Sequence, residues 1–290
     1  MVRFFTMVFI RSSFFLLVVF LVQASGFATT FDHSHAAWDQ VVKTHVRGSL
    51  VDYRALSADA TILDGYLEQL NSVPRSQVDA WSREEQLAFW INAYNAFTVK
   101  AILNHYPIES WTFKGLFVPR NSIIQISGVW KKLEWKVAGQ SLTLDHIEHG
   151  LIRPNFKEPR IHFSIVCASI GCPNLRPEAF TAEKLETQLD EQTRSHLLNV
   201  EKGIKLDFEK EKVCVSQLFS WFWEDFVVEP PAGFQVSGRS DKTRAALYFI
   251  SHYFKDSRVR DLLKAETTDF DYLSYDWSLN DTSSSDDSAS

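Results

Sequence analysis

The sequence predicts an α+β protein, mostly helical, that forms a single domain around a small mixed or antiparallel sheet. Several segments carry apolar residues at helical spacing, and two pairs of short strand-like segments are joined by tight turns. The 290 residues are 45% hydrophobic and 14% aromatic, which suffices for one sizeable core. We find no internal repeat and no linker that would divide the domain, which we place at residues 31–278.

The strongest helix is predicted over residues 82–105. Ser82 is a suitable N-cap, and Glu85 three residues later completes a capping box. Pro107 lies just beyond the end. Two stripes of apolar residues run along this helix, so it should be buried on most sides.

Two amides interrupt these apolar stripes. Asn92 and Asn95 are three residues apart and therefore share one face of the helix. A buried amide without a partner costs roughly 1–3 kcal/mol, so each should be paired. They either bind loop backbone, or they orient a catalytic side chain or line a pocket.

The remaining elements are shorter. Residues 111–143 look rich in β-structure, with a hairpin turn at residues 138–140, and a second hairpin is predicted over residues 204–215. A last extended piece, residues 269–277, would add an edge strand. Further helices are predicted at residues 31–47, 57–72, 144–152 (ended by Pro154), 181–198, 218–227 (dense in aromatic residues), 239–254 and 256–265.

Residues 1–28 have the features of a signal peptide. Arg3 and Arg11 flank an apolar run that is too short for a comfortable membrane span, and small residues follow it. An uncleaved anchor is the alternative. Loss of the two arginines would change the net charge from −6 to −8, so no nucleic-acid partner is expected. We expect a periplasmic or secreted protein with no stable transmembrane segment after cleavage, and a disordered acidic tail at residues 281–290.

Residues 160–176 combine a predicted buried strand with a loop that carries Cys167 and Cys172. Loops that leave core strands often carry chemistry. Cys167 could act as a nucleophile, with loop N–H groups as oxyanion donors. On one strand His162 would lie on the opposite face, about 16 Å away, so the base should come from elsewhere. His149 is the nearest candidate in sequence.

Other interpretations of these residues remain open. Three cysteines allow one disulfide at most, and Cys167–Cys172 is the pair favoured by proximity. His146 and His149 could bind zinc, but no familiar ligand spacing is met. Asp145 and Glu148 could be a glycosidase pair, although acids near a helix N-terminus are expected anyway.

Three blocks of sequence, at residues 85–95, 144–154 and 160–173, resemble the hallmark blocks of the domain-of-unknown-function 547 family. The resemblance covers roughly residues 80–230. Members of this family include secreted or envelope-directed bacterial proteins, and no reaction is implied. The resemblance therefore supports the domain and leaves the function open.

These observations lead to a functional hypothesis. We expect an exported hydrolase or acyl transferase that depends on cysteine and acts on envelope or peptide-like substrates, without a metal or cofactor. The alternative is a non-enzymatic module that binds a small-molecule or peptide-like ligand and is stapled by a Cys167–Cys172 disulfide. The predicted catalytic residues are Cys167, His149, Glu148, Asn92 and Asn95, and the predicted substrate-binding residues are His162, Ser169, Gly171 and Cys172.

Overall fold

The structure, a computed structural model, describes residues 31–108 and 118–283. Helices dominate, as predicted for an α+β chain. The predicted signal peptide lies outside the described residues. The α-helices are α1 (Ala36–His45), α2 (Tyr53–Ala58), α3 (Thr61–Ser72), α4 (Arg75–Val78), α5 (Arg83–Leu103), α6 (Arg153–Phe156), α7 (Leu185–Leu197), α8 (Leu218–Trp221), α9 (Asp241–Ser251) and α10 (Ser257–Lys264).

The strands form small sheets, which confirms the predicted sheet class. Two are antiparallel pairs, and in the third β6 pairs antiparallel with β5 and parallel with β7, the predicted edge strand. Ala138 and Gly139 both have positive φ, as a type I′ hairpin turn requires. The strands are β1 (Val46–Arg47), β2 (Leu50–Val51), β3 (Glu134–Val137), β4 (Gln140–Thr143), β5 (Ile204–Asp207), β6 (Lys212–Val215) and β7 (Asp269–Tyr272).

Helix α5 lies in the centre of the larger apolar cluster, as its sequence predicted. The capping box between Ser82 and Glu85 is present, and nearly every side chain from Leu87 to Ile102 is buried. Helices α2 and α3 and a π-helical turn, His146–Ile152, pack against it. No helix among the described residues has the length and apolar character needed to cross a membrane.

The buried strand predicted within residues 160–167 is not formed. A 3-10 turn, Pro159–Phe163, occupies its first half. In the second half, the Asn95 amide donates to Ser164 O at 2.9 Å and accepts from Val166 N at 2.9 Å. One side chain therefore satisfies the backbone groups that a neighbouring strand would otherwise pair.

Two further segments differ from the prediction. The helix at residues 144–152 does not end at Pro154 but continues into α6, because the π-helical turn already shifts the backbone bonding: Arg153 N donates to Glu148 O. In residues 118–133 the structure has a 3-10 turn and loops instead of strands, while residues 109–117 lie outside the described part.

Residues 281–283, which the sequence assigned to a disordered tail, are bound to the rest of the fold. Thr282 N donates to Val51 O at 3.1 Å, and Tyr106 donates to the Asp281 carboxylate at 2.7 Å. A buried carboxylate with a hydroxyl donor anchors the chain here. Residues 284–290 lie outside the described part.

A second apolar cluster is built from aromatic residues. Phe219 and Phe226, on α8 and the 3-10 turn that follows it, pack against Phe163 and against Phe249 of α9. The aromatic segment predicted at residues 218–227 is therefore partly core. Its other face points elsewhere: Leu218, Trp221 and Phe222 line a pocket that the first cluster also borders.

Candidate active site around Cys167

A pocket of about 200 Å³ contains most of the predicted site residues. Cys167, Cys172, Glu148, His149 and His162 all line it. His162 and Cys167 thus face one cavity, and the predicted separation on opposite strand faces is wrong because no strand forms. Six aromatic residues contribute to the wall: Tyr94, Trp130, Trp221, Phe222, Tyr275 and Trp277.

The Cys167 sulfur is surrounded by hydrogen-bond donors. It lies 2.9 Å from the Tyr275 hydroxyl and 3.2 Å from the Ser169 hydroxyl, and it also bonds to the Ser169 N–H. Ala168 has a φ of 57°, so the chain turns sharply directly after the cysteine. This turn places Ser169 beside the sulfur that precedes it.

These donors act on the acidity of the thiol. The hydrogen bond from Cys172, followed by those from Ser169 and Tyr275, lowers the pKa of Cys167 to about 7, although burial opposes the shift. Burial raises the pKa of the Cys172 thiol well above its usual value, so Cys172 remains the proton donor of the pair. At neutral pH a substantial fraction of Cys167 is therefore thiolate, the nucleophilic form.

Glu148 supplies a buried carboxyl group to the same pocket. Burial raises its pKa to about 7, while a hydrogen bond from the Tyr94 hydroxyl, at 3.2 Å, acts in the opposite direction. The charge on Cys167 raises this pKa further. Glu148 can therefore both give and take a proton near neutral pH.

His149 belongs to a polar chain that leads away from the sulfur. Arg153 Nη1 donates to His149 Nδ1 at 2.9 Å, which places the proton of the neutral imidazole on Nε2. Burial and then the Arg153 charge lower the pKa of His149. In this arrangement His149 is therefore a neutral N–H donor at pH 7, and its role as the base for Cys167 stays a prediction.

Asp225 anchors this polar chain. Its carboxylate accepts from Arg153 Nε at 2.6 Å and from His162 Nε2 at 2.6 Å. Burial opposes ionisation of Asp225, but these two partners hold its pKa well below the usual range. Phe222 stacks on the His162 ring at 4.1 Å. The Asp225 carboxylate therefore fixes the position of Arg153, and Arg153 in turn fixes the orientation of the His149 ring.

Asn92 and Asn95 were predicted to be catalytic, but neither lines the pocket. The Asn92 amide exchanges two hydrogen bonds with the Phe180 backbone, at 2.7 and 3.0 Å. Asn95 holds Ser164 and Val166, directly before Cys167. The structure thus favours the backbone-binding alternative, in which each amide side chain binds the backbone of a loop.

Residues 273–283, which we call the C-terminal strap, cross the cysteine loop. Ile170 N donates to Ser278 O and Gly171 N donates to Asp276 O, both at 2.8 Å. A β-carbon on Gly171 would lie 2.8 Å from Asp276 N, so the two backbones are in close contact. The predicted oxyanion donors at positions 170 and 171 are therefore occupied, and Gly171 binds the strap and not the pocket.

Residues 78–197 match the family described as "Protein of unknown function, DUF547". This part of the chain is a DUF547 domain. No curated protein and no solved structure matches the chain. The DUF547 domain supplies α5, the π-helical turn, the cysteine loop and α7.

Several pocket residues were missed by sequence reasoning, and some of them lie beyond the DUF547 domain. Those beyond it include Trp221, Tyr275 and Trp277. Asp225, which binds His162 of the pocket wall, was missed as well. Asp225 and Tyr275 carry no local signal, because only the fold brings them next to residues more than sixty positions away. The aromatic density around Trp221 is visible in the sequence, but it does not show which rings face a pocket.

All three cysteines are free thiols in the structure, so the Cys167–Cys172 disulfide is not formed. Cys172 Sγ instead accepts from Cys167 N at 2.9 Å. Among the described residues, no group of three or more His, Cys, Asp or Glu side chains could hold a metal ion.

Proposed function

We propose that this protein is a thiol-dependent acyl transferase or hydrolase in which Cys167 is the nucleophile. One observation carries the proposal: the Cys167 sulfur lies in a pocket, meets donors from Cys172, Ser169 and Tyr275, and has its pKa lowered to about 7. A thiolate at neutral pH beside a titrating carboxyl group is what acyl transfer requires.

In the first step the Cys167 thiolate attacks the carbonyl carbon of the substrate. A C–S bond forms, and the carbonyl oxygen becomes an oxyanion, for which the Nε2–H of His149 is the available side-chain donor. The intermediate collapses to a thioester, and the protonated Glu148 gives its proton to the leaving group. Glu148 is the acid because its raised pKa leaves it partly protonated near pH 7.

In the second step the acyl group leaves the enzyme. The Glu148 carboxylate takes a proton from water or from an acceptor alcohol or amine, whose oxygen or nitrogen attacks the thioester. The C–S bond breaks, and Cys167 leaves as the thiolate that its three donors stabilise. Glu148 ends this step protonated, ready for the next cycle.

The pocket wall indicates the kind of acyl group. None of the described residues that line it is Lys or Arg, and six Phe, Trp or Tyr side chains contribute to its wall. Carboxylates and phosphates would find no cationic partner there. The wall favours an uncharged acyl group, which an ester or amide of envelope or peptide-like material could supply.

Export remains part of the proposal. The charged and apolar pattern of residues 1–28 supports a signal peptide and a periplasmic or secreted location. In such a compartment the free Cys167 and Cys172 thiols would have to be kept reduced for the reaction.

The second candidate is a non-enzymatic module that binds a small ligand. The aromatic rings of Trp130, Trp221 and Trp277 at one pocket favour it, because aromatic faces bind small organic ligands without any chemistry. This candidate predicts that no covalent acyl intermediate forms at Cys167.

The test is acylation by a p-nitrophenyl ester of a short fatty acid. We expect a burst of about one p-nitrophenolate per chain and an acyl group mapped by mass spectrometry to Cys167. The Cys167→Ala variant should show no burst, and the Cys214→Ser variant, which removes the thiol on β6, should retain it. An equal burst from Cys167→Ala, or no acylation of the wild type, contradicts the proposal.

A further inference from the structure

Lys202, which does not line the pocket, donates hydrogen bonds to the cysteine loop. Lys202 follows α7, beyond the DUF547 domain. Its Nζ donates to Ile170 O at 3.0 Å, to Cys172 O at 2.6 Å and to Asn174 Oδ1 at 2.6 Å. All three acceptors belong to the loop that carries Cys167 and Cys172.

The partners of Lys202 show that it is an ammonium ion. An ammonium group has three N–H donors and no acceptor, and here it meets three oxygen acceptors. Burial lowers the pKa of Lys202, while its electrostatic interactions with Cys172 and Cys167 act in the opposite direction. A positive charge thus lies within electrostatic reach of both thiols.

The backbone around Lys202 is held in place. The next residue, Gly203, lies so close to the His196 carbonyl that a β-carbon there would overlap it. Gly203 N donates to Asn199 O at 2.7 Å, and Ser216 N donates to Gly203 O at 2.7 Å. The ammonium therefore projects from a fixed point between α7 and β6.

The loop geometry depends on the carbonyls that Lys202 binds. Cys172 N donates to Ser169 O at 3.1 Å, so residues 169–172 form a tight turn. This turn brings the Cys172 sulfur and the Ser169 N–H to Cys167. Ile170 O and Cys172 O both accept from the Lys202 ammonium. If the turn opened, this buried charge would lose two of its hydrogen-bond acceptors.

We propose that Lys202 is a positioning residue for Cys167: it fixes the cysteine loop, and its charge favours the thiolate over the thiol. The inference rests on the proposed role of Cys167 as a nucleophile. Lys202 touches neither the sulfur nor the pocket, so it acts through the loop and through the electrostatic field.

Other titratable groups also face Cys167 or share its pocket, and none supplies this positive charge. The two histidines have pKa values lowered by burial and are neutral at pH 7, and the other groups are neutral or acidic. They are Tyr53 on α2, Tyr94 on α5, Glu148 and His149 on the π-helical turn, His162 on the 3-10 turn, Cys172 on the loop and Tyr275 on the C-terminal strap.

The test measures the pH dependence of iodoacetamide alkylation at Cys167, read by peptide mass mapping so that Cys214 is counted separately. For Lys202→Met we expect the midpoint to rise by about one pH unit, which slows labelling at pH 7 about fivefold. Lys202→Arg keeps the charge and should remain closer to the wild type. Lys205→Met, at an exposed position of β5, is the matched control and should leave the midpoint unchanged.

A purely structural role for Lys202 predicts a different result. In that case Lys202→Met lowers the Tm but leaves the alkylation midpoint where it was, and this outcome overturns the inference. If Lys202→Met does not fold, Lys202→Gln takes its place, since its amide can still donate to both carbonyls, and the same rise is expected. A wild-type Cys167 that does not react near neutral pH instead overturns the proposed function, whatever the lysine variants do.

Discussion

Glu148 shows how strongly burial can act on a single residue. Its side chain accepts a hydrogen bond from the Tyr94 hydroxyl at 3.2 Å, and the His149 ring, which is neutral at pH 7, lies 3.9 Å away. The carboxylate form therefore loses hydration without full compensation, and the pKa rises to about 7. Burial disfavours the ionised form of Glu148. The folded protein should therefore become less stable when Glu148 ionises.

Glu148→Gln should remove this dependence of stability on pH. In the unfolded chain Glu148 titrates near its ordinary value of 4.5, and in the folded chain at about 7, so the folded state holds the proton more tightly. Its contribution to stability is complete below about pH 4.5 and is lost as the pH rises through 7. The expected loss is about 3 kcal/mol.

Urea unfolding of the wild type and the variant between pH 4.5 and pH 8 measures this difference. The exposed Glu134 on β3 provides the control, since Glu134→Gln should follow the wild type. A free energy of unfolding that falls equally in the wild type and in Glu148→Gln would show that another group causes the loss.

Among the elements, the C-terminal strap completes the site. It carries Tyr275 to the Cys167 sulfur and Trp277 to the pocket, and its backbone pairs with the loop at Ile170 and Gly171. An isolated antiparallel bridge also joins Ser169 of the loop to Leu279 of the strap. The position of the strap depends on the absence of a side chain at Gly171.

Gly171→Ala should therefore displace the strap. The new methyl group would meet the backbone of Asp276, which cannot yield as a flexible side chain would. We expect a loss of stability of about 1–3 kcal/mol. The alkylation midpoint of Cys167 should also rise, because Tyr275 moves away from the sulfur.

Gly65→Ala is the matched control for this substitution. Gly65 is exposed within α3 and has open space around it, so alanine there should stabilise the protein by about 0.5–1 kcal/mol. Thermal unfolding and alkylation of both variants test the pair. An unchanged midpoint in Gly171→Ala would mean that the strap does not set the acidity of Cys167.

At the scale of the whole molecule, two apolar clusters meet at the pocket. The first surrounds α5 and includes α1, α2 and α3, and the second joins α8, α9 and α10. The matched segment, residues 78–197, contains α5 and the cysteine loop but omits the elements that cover them. Much of its apolar surface would face water if it stood alone.

An isolated fragment of residues 78–197 should therefore not fold cooperatively. We expect no sharp thermal transition by circular dichroism and strong binding of a hydrophobic dye. A chain of residues 31–283 serves as the comparison and should unfold in a single transition. Cooperative unfolding of the short fragment would contradict this expectation.

Sequence patterns determined the local elements of this protein. The capping box and apolar stripes of α5, the hairpin turn at Ala138, and the spacing of α7, α9 and α10 depend on neighbours within a few positions. Such signals are readable because periodicity and capping are properties of adjacent residues. The cysteine loop, Glu148 and His149 were recognisable for the same reason, as reactive types in short blocks.

Only the tertiary structure decided which partners those residues meet. The predicted strand before Cys167 was replaced by a backbone bound to Asn95, a partner about seventy positions away. Tyr275 and Lys202 reach the cysteine loop only after folding, and the hydrogen bond from Arg153 leaves the neutral His149 ring with its donor at Nε2. The pKa values of these side chains depend on burial and on partners distant in the sequence, and neither can be predicted from the local sequence.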